Sequence, residues 1–154
     1  MYTYSYKIGL DENLHPVLLK EKRYQVQYLN NVNTLVELFR KTIPIISYAQ
    51  ETVYIIPVNK KLRPLAILQT ALGTADMALC SPREILISCL LTGATGFFVI
   101  HNHPTGICHP SGEDIRLAER LKQAGKLVDI NMIDFMIVGR EGYYSYKEKD
   151  NKIH

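Results

Sequence analysis

The sequence predicts an α/β fold, a sandwich of helices around a mixed β-sheet. Short apolar stretches typical of strands alternate along the chain with longer stretches that carry helix-capping signals at their ends. This alternation favours helices that cover the faces of a largely buried sheet. The composition, 47% apolar and 21% charged residues, is typical of a globular protein and excludes a disordered chain.

The N-terminal residues predict a β-hairpin. Residues 2–8 alternate, residues 11–13 form a turn, and a second strand-like stretch continues to Tyr28. Three tyrosines of the first strand share one face, which fits a docking surface or, more commonly, a half-buried strand face. They are Tyr2, Tyr4 and Tyr6.

A short helix is predicted after the hairpin. Capping signals at residues 33–37 begin it, and Pro44 ends it near Thr42. We therefore expect residues 1–44 to form a hairpin and helix that pack on the core. Residues 45–154 are expected to form the main domain, within a single globular unit.

Two strands are predicted next, at about 52–58 and 62–70, with a turn between them. Pro57 and Pro64 are poorly suited to a central strand because proline cannot donate to the sheet. The sequence therefore predicts a sheet edge here, beside a shallow groove that could accept an extended peptide by strand addition.

The second half of the chain predicts a helix, a strand, a loop and another helix. Ser81 and Glu84 have the spacing of a capping box, and Gly93 ends the first helix. A strand at 96–101 leads into the loop, and the second helix runs from Gly112 to Gly125. Two short strands are expected at about 129–138 and 143–147.

The most informative motif is a tetrad of polar residues within HNHPTGICHPSGED. His101 and His103 are two positions apart at a strand end and therefore point to the same face. Ser111 and Asp114 occur one turn apart at the beginning of the predicted helix. Two imidazoles and a carboxylate suffice to bind one zinc ion and leave its fourth position open. The motif therefore predicts a metal-hydrolase site.

Each member of the tetrad has a simpler explanation when it is considered alone. Ser111 and Asp114 form a Ser-x-x-acid capping box, which satisfies the first free N–H groups of a helix. His101 and His103 could be polar residues where a strand reaches the surface. These explanations give no reason for all four residues to occur on one strand–loop–helix unit, so we prefer the metal site.

Other polar residues of the loop are assigned different roles. Cys108 could be a ligand, but two histidines and Asp114 already fill three positions and catalysis needs the fourth to stay open. Asn102 points to the opposite face from the histidines and is expected to be structural. His109 is expected to be a solvated loop residue.

The tetrad resembles the JAMM motif of the JAB/MPN-type zinc metallopeptidase fold. HNHPTG followed by PSGEDI is similar to the RadC-like branch, in which HNHPSG and PSxxD are typical. Residues 81–85 resemble the family's HPRE segment and residues 133–139 its LDHLIIG segment, so the resemblance covers roughly residues 45–147. Thr105 replaces the usual Ser, and Phe135 replaces a usual His, which removes that histidine's role here.

The resemblance implies a three-layer α-β-α sandwich of the JAB/MPN type, similar to the cytidine deaminase fold. It implies Zn²⁺ bound by His101, His103 and Asp114. It also implies that Glu51 is the family's upstream glutamate, which would carry a proton from the attacking water to the leaving amine. Ser111 would donate to the oxygen that becomes negative in the tetrahedral intermediate.

Two other glutamates lie near these motifs and have structural explanations. Glu84 is expected to be the acidic half of its own capping box, and Glu113 a charge favoured at a helix N-terminus. Glu51 could likewise be only a solvated residue at the start of a strand. We prefer its catalytic role.

Three functions fit the sequence to different degrees. The first is a zinc-dependent peptidase or isopeptidase. The second is a DNA repair-associated, RadC-like accessory or binding protein without peptidase activity; a net charge of +3 permits nucleic-acid contact, but no basic cluster exceeds residues 20–23. The third is a nuclease, suggested by the tripeptide His-Asn-His, but HNH nucleases carry those residues dispersed over a ββα unit. The complete metal-binding set favours the peptidase.

Composition also predicts where the protein acts. No apolar stretch is long enough to span a bilayer, and the N-terminus lacks the pattern of a secretory signal. The three cysteines are irregularly spaced, which indicates reduced thiols. We expect a cytoplasmic protein with a peptide or protein substrate and no membrane partner, and the sequence leaves its oligomeric state open.

Overall fold

The computed structural model describes residues 1–72 and 80–150. The strands are β1 Tyr2–Leu10, β2 Pro16–Gln25, β3 Thr52–Val58, β4 Ile67–Leu72, β5 Gly96–His101, β6 Asn131–Val138 and β7 Tyr143–Ser145. The helices are α1 Val32–Glu37, α2 Pro82–Thr92, α3 Gly112–Leu127 and α4 Tyr146–Asp150. A π-helical turn, Leu38–Thr42, continues α1, and a 3₁₀ turn, Ile45–Ser47, follows it. The strands form one mixed sheet in the order β2-β1-β4-β3-β5-β6-β7.

Helices cover both faces of this sheet, which confirms the predicted three-layer α-β-α sandwich. The π-helical turn packs on one face through Phe39, whereas α2 and α3 pack on the other through Ile85 and Leu121. Side chains of β3 alternate between the two cores, with Ile56 in the first and Ile55 in the second. Burial on both faces explains why this strand has no charged residue and is mostly apolar.

The central strand β5 has different neighbours on its two sides. It pairs antiparallel with β3 and parallel with β6, and α3 makes the connection that a parallel pair requires. All six residues of β5 are buried. Its last residue, His101, lies at the end of the sheet from which the chain crosses to the beginning of α3. The loop and the helix N-terminus are therefore brought to one end of the sheet.

The predicted N-terminal hairpin is present and extends the sheet. β1 and β2 are antiparallel, and β1 pairs in parallel with β4 at Ser5 and Tyr6. Basic side chains lie over the rings of two tyrosines, Lys20 over Tyr4 at 4.2 Å and Arg23 over Tyr2 at 4.6 Å. The division of the chain at residue 44 stays a prediction.

The expectation of a sheet edge at Pro57 is wrong, because β3 pairs with β4 on one side and with β5 on the other. The Pro57 carbonyl accepts from the Leu65 N–H at 2.9 Å, on the β4 side of the strand. The N–H and C=O of one strand residue point to the same side, so the absent N–H leaves the pairing with β5 intact. Pro64 lies outside the strands and forms only an isolated bridge with Val58.

The capping box predicted for α2 is also wrong. Ser81 is the N-cap residue, but its side chain makes no capping hydrogen bond, and Glu84 pairs with Arg83 at 2.9 Å instead. Gly93 ends the helix as predicted. Helix α1 begins earlier than expected because Asn31 caps it.

Several predicted element ends differ from the structure. Strand β2 ends at Gln25 instead of Tyr28, β4 begins at Ile67 instead of about residue 62, and β6 begins at Asn131 instead of about residue 129. Helix α3 continues past Gly125 to Leu127, and the carbonyl of Gly125 accepts from the N–H of Ile130 at 2.9 Å. The backbone of Ile130 lies where a Cβ on Gly125 would be, so this glycine serves a close approach and not a helix end. The last strand ends at Ser145, where α4 begins.

Candidate metal site

Two neighbouring strands bring Glu51 and His101 together. Strand alternation directs His101 to the sheet face covered by α2 and α3. In the antiparallel register Val53 lies opposite His101. Glu51 comes two residues before Val53 and therefore points to the same face, at the same end of the sheet.

Asn102 fixes the backbone on either side of Glu51. Its Oδ1 accepts from the Thr52 N–H at 2.8 Å, and its side-chain amide donates to the carbonyls of Gln50 at 3.2 Å and Tyr48 at 3.4 Å. Asn102 is buried and is not part of the group that could hold a metal. The structural role predicted for it is confirmed.

The beginning of α3 supplies Asp114 in a fixed position. The Ser111 hydroxyl accepts from the Asp114 N–H at 3.1 Å, and the Asp114 carboxylate accepts from the Ser111 N–H at 2.7 Å. Both halves of the predicted capping box are therefore present. The reciprocal bonds fix this carboxylate at the first helical turn, beside the two histidines.

Four side chains meet at this end of the sheet. One ligand atom from each of Glu51, His101, His103 and Asp114 lies within 4.8 Å of the others, and among the described residues no second group of this kind occurs. Nε2 of His101 is 3.3 Å from Asp114 Oδ1, and Nε2 of His103 is 3.1 Å from Oδ2. Nδ1 of His101 is 3.3 Å from Glu51 Oε1. We call these residues the four-residue cluster.

A backbone carbonyl fixes the ring of His103. Nδ1 lies 2.8 Å from the carbonyl oxygen of Ile107. A carbonyl can only accept, so we assign the proton of the neutral ring to Nδ1, which leaves the lone pair of Nε2 facing Asp114. Such contacts to the outer nitrogen are typical of metal-binding histidines. Sequence patterns carry no signal for Ile107, because its contribution comes from the backbone.

The two ring nitrogens of His101 are buried polar atoms without hydrogen bonds. The ring is buried, and neither nitrogen has a hydrogen-bond partner among the described residues. Both lie 3.3 Å from carboxylate oxygens without hydrogen-bond alignment. Such burial is costly. A cation between His101 and Asp114 would give a partner to Nε2 of His101 and to the Asp114 carboxylate. Two imidazoles with a carboxylate fit zinc, so the residues present fit a metal of this class.

The charges of the cluster support the same interpretation. Burial by itself would raise the pKa of Asp114, but donation from His101 and His103, when their Nε2 atoms carry protons in place of a metal, holds that pKa well below its usual range. Burial by itself would lower the pKa of His101, but Asp114 and Glu51 raise it above its usual range. The carboxylates therefore give the site the negative charge that a cation requires.

A pocket of about 340 Å³ lies beside the cluster. Glu51, His103 and Ser111 line it together with loop residues, among them His109. Several of these wall residues are exposed, Ile107 and Ser111 included, so the pocket is open to solvent. The two side chains expected to act on the substrate, Glu51 and Ser111, therefore face one accessible space.

The other candidate residues lie outside the cluster. Glu84 pairs with Arg83, and Glu113 pairs with Arg116. The thiol of Cys108 donates to a backbone carbonyl and is not part of the group that could hold a metal. Phe135, which replaces the family histidine, packs against the His101 ring edge to face, with 5.3 Å between the ring centroids.

Similarity to known proteins agrees with this geometry. A family model described as the RadC-like JAB domain matches residues 29–152. The chain belongs to the RadC-like JAB domain family. The matched segment contains the whole four-residue cluster. It leaves out the N-terminal hairpin, which the family resemblance likewise did not cover.

Curated relatives are described as UPF0758 proteins. One from Thermotoga maritima is 35% identical over 120 residues, which cover 73% of this chain and 54% of the relative. One from Clostridium botulinum (strain Okra) is 32% identical over 148 residues, 92% of this chain and 65% of the relative. One from Alkaliphilus metalliredigens is 40% identical over 91 residues, which cover 59% of this chain and 39% of the relative. This RadC-like chain thus spans less than two thirds of the length of these relatives.

Proposed function

We propose that this protein is a zinc-dependent metallohydrolase of the JAMM type, a peptidase or isopeptidase that cleaves an amide bond with an activated water. The observation that carries the proposal is the four-residue cluster, whose ligand atoms lie within 4.8 Å of one another. Membership of a JAB-domain family supports the same class of chemistry.

In this proposal Nε2 of His101, Nε2 of His103 and the Asp114 carboxylate hold the metal. When bound, zinc lowers the pKa of its water to about 7 and polarises the substrate carbonyl. His101 and Asp114 are buried, so their side of the site excludes bulk water and strengthens its electrostatic interactions.

Glu51 is assigned the proton transfer. It accepts a proton from the attacking water and delivers it to the amide nitrogen, so that the C–N bond breaks and a neutral amine leaves. Its carboxylate lines the open pocket while one oxygen contacts His101. The second oxygen is the one that we assign to proton transfer.

Ser111 is assigned the stabilisation of the negative oxygen that forms on the substrate. Its hydroxyl oxygen already accepts from the Asp114 N–H, so its own proton is directed elsewhere. Because Ser111 also lines the pocket, that proton can be donated to a substrate carbonyl oxygen. Loss of one such donor typically costs about 2.7–4 kcal/mol of transition-state stabilisation.

The open pocket and the proposed chemistry support one class of substrate. A pocket with exposed walls accepts a segment of a longer chain, so we propose a peptide or protein substrate. We also propose a cytoplasmic location, which fits three free cysteines. Across residues 1–72 and 80–150, no helix is both long and apolar enough to cross a membrane.

A cleavage assay tests the proposal. Zinc-loaded protein is incubated with peptides that contain ordinary and isopeptide bonds, and mass spectrometry identifies new termini. We expect cleavage by the wild type, no cleavage by the His101→Ala/His103→Ala variant, and normal cleavage by His15→Ala, which changes an exposed hairpin residue. Equal cleavage by the double variant would contradict the proposal. Zinc binding without cleavage of either kind of bond would contradict the peptidase assignment and leave the metal site standing.

A further inference from the structure

The loop between β5 and α3 packs on the turn between β6 and β7. We call residues 139–142 the loop seat; the Gly139 N–H closes it by donating to the Gly142 carbonyl at 2.9 Å. The Cys108 thiol donates to the same carbonyl at 3.2 Å. The Gly106 carbonyl oxygen lies 2.9 Å from where a Cβ on Gly139 would be. The loop and the seat are therefore in close contact at two points.

Arg40 also binds the loop seat. Its Nε donates to the Gly139 carbonyl at 3.1 Å, and its Nη2 donates to the Gly142 carbonyl at 2.9 Å. The planar guanidinium can bind two acceptors at once, and hydrogen bonds from a charged donor are stronger than neutral ones. Arg40 belongs to the π-helical turn, a conformation that is uncommon and occurs often at functional sites.

The contacts continue from the seat to a proposed metal ligand. Cys108 directly follows Ile107, whose carbonyl lies 2.8 Å from Nδ1 of His103. The Gly106 N–H donates to the His103 carbonyl at 2.8 Å, and the Ile107 N–H donates to Thr105 Oγ1 at 3.3 Å. A shift of the loop at Gly106 or Cys108 would therefore move the carbonyl that orients the His103 ring.

We propose that Arg40, Gly139 and Cys108 are positioning residues for the metal site. They hold the loop at the place where the Ile107 carbonyl turns Nε2 of His103 towards Asp114. None of the three belongs to the four-residue cluster, so they act through the loop and not on the metal. The consequence for metal binding rests on the proposed function, whereas the loop seat itself is testable without metal.

Two glycines of the same turn provide a matched test. A Cβ on Gly139 would lie 2.5 Å from Cys108 Sγ and 2.9 Å from the Gly106 carbonyl oxygen, so Gly139→Ala must push the loop and the loop seat apart. A Cβ on Gly142 would meet nothing within 4 Å, so Gly142→Ala keeps the loop in place. Zinc affinity is measured by competition with a chromophoric chelator. We expect Gly139→Ala to weaken the zinc affinity by roughly 10–100-fold, the usual loss when a group that orients a metal ligand is changed. Gly142→Ala should leave the zinc affinity unchanged.

Arg40 gives a second and independent variant. Arg40→Met removes both donors and keeps an unbranched side chain of similar length. Arg83→Met is the control, because Arg83 is exposed and pairs with Glu84. We expect a similar loss of zinc affinity in Arg40→Met only. Arg40→Lys should recover only part of the zinc affinity, because the ammonium keeps the charge but cannot bind both carbonyls as the planar guanidinium does. The visible spectrum of bound cobalt depends on the geometry of its ligands. The spectrum of the cobalt-substituted protein should therefore change in Arg40→Met and stay the same in Arg83→Met.

Hydrogen exchange in metal-free protein separates the seat from metal binding. The Gly106 N–H should exchange faster in Gly139→Ala and Arg40→Met than in their controls. Equal exchange and equal zinc affinity in variants and controls would overturn the positioning role alone. No zinc binding by the wild type would overturn the proposed function, and the positioning role with it.

Discussion

Glu51 and His101 lie side by side at the end of two antiparallel strands, with Glu51 Oε1 3.3 Å from His101 Nδ1. Nε2 of the same ring faces Asp114, also at 3.3 Å. A carboxylate at the outer nitrogen of a metal-binding histidine fixes the orientation of the ring. The contact lacks hydrogen-bond alignment, so here Glu51 restrains the His101 ring by its proximity, in addition to the proton transfer that we propose for it.

Replacement of Glu51 by glutamine should separate these two roles. The amide of Glu51→Gln can still contact His101, so zinc should stay bound, but it cannot accept the proton. We expect turnover to fall by roughly 10²–10⁴-fold, the usual contribution of general acid–base assistance. Steady-state kinetics and metal analysis on the same preparation measure both effects.

Glu84→Gln is the control for this variant. Glu84 lies on α2, pairs with Arg83 and is outside the four-residue cluster, so its turnover should match the wild type. Full turnover in Glu51→Gln would show that another group carries the proton.

Ser111→Ala should have two separable effects. It removes the N-cap of α3, which costs about 0.5–2 kcal/mol of stability. It also removes the proposed donor to the substrate oxygen, which lowers kcat by roughly 10²–10³-fold. Chemical denaturation and kinetics measure the two effects.

Asn31→Ala provides a matched control for the capping effect. Asn31 Oδ1 accepts from the Thr34 N–H at 2.9 Å and caps α1, away from the pocket. Its loss should lower stability by a similar amount without affecting kcat. Equal kcat in both variants would leave Ser111 with its capping role only.

The metal site could be predicted from sequence because most of it is local. His101, His103, Ser111 and Asp114 lie on one strand–loop–helix unit, where strand alternation and capping spacing determine their directions. Glu51 is 50 residues away from His101, and only the family resemblance pointed to it. The structure places it beside His101 through the register of β3 and β5.

Features that depend on distant contacts could not be predicted. Pro57 suggested an edge strand because it has no N–H to donate. The sequence does not show that this N–H would point to the β4 side, where its absence leaves the pairing of β3 with β5 intact. Arg40 lies 99 residues from Gly139, and a basic residue at a helix end has many ordinary explanations. The capping box at Ser81 had the right spacing, but Glu84 pairs with Arg83 instead.

Removal of the metal should weaken the protein without unfolding it. A core of this size does not depend on zinc as a zinc finger does. Treatment with a chelator should leave the far-UV circular dichroism spectrum unchanged and lower the melting temperature. Free zinc at about 1,000 times its Kd should stabilise the folded state by about 4.1 kcal/mol. Loss of secondary structure on chelation would contradict this prediction.

Asp134 should give the protein a measurable pH dependence. Its carboxylate accepts from Ser145 Oγ at 2.6 Å, the Phe135 N–H at 2.8 Å and the Lys147 N–H at 3.0 Å. Burial nevertheless raises its pKa above the ordinary 3.8. The stability that it contributes is therefore fully present below that value and is lost as the pH rises through the folded-state pKa.

Asp134→Asn removes this ionisation. Relative to the wild type, the variant should be most destabilised at acid pH, and the difference should shrink as the pH rises towards neutral. Urea unfolding of both proteins across this range measures the difference in free energy. A difference that grows with pH would contradict the raised pKa.

Zinc content per chain tests the central claim most directly. Plasma mass spectrometry is applied to the wild type, to the His101→Ala/His103→Ala variant and to His109→Ala, whose histidine lines the pocket but lies outside the four-residue cluster. We predict one zinc in the wild type and in His109→Ala, and almost none in the double variant. Zinc retained by the double variant at the wild-type ratio would contradict the metal site.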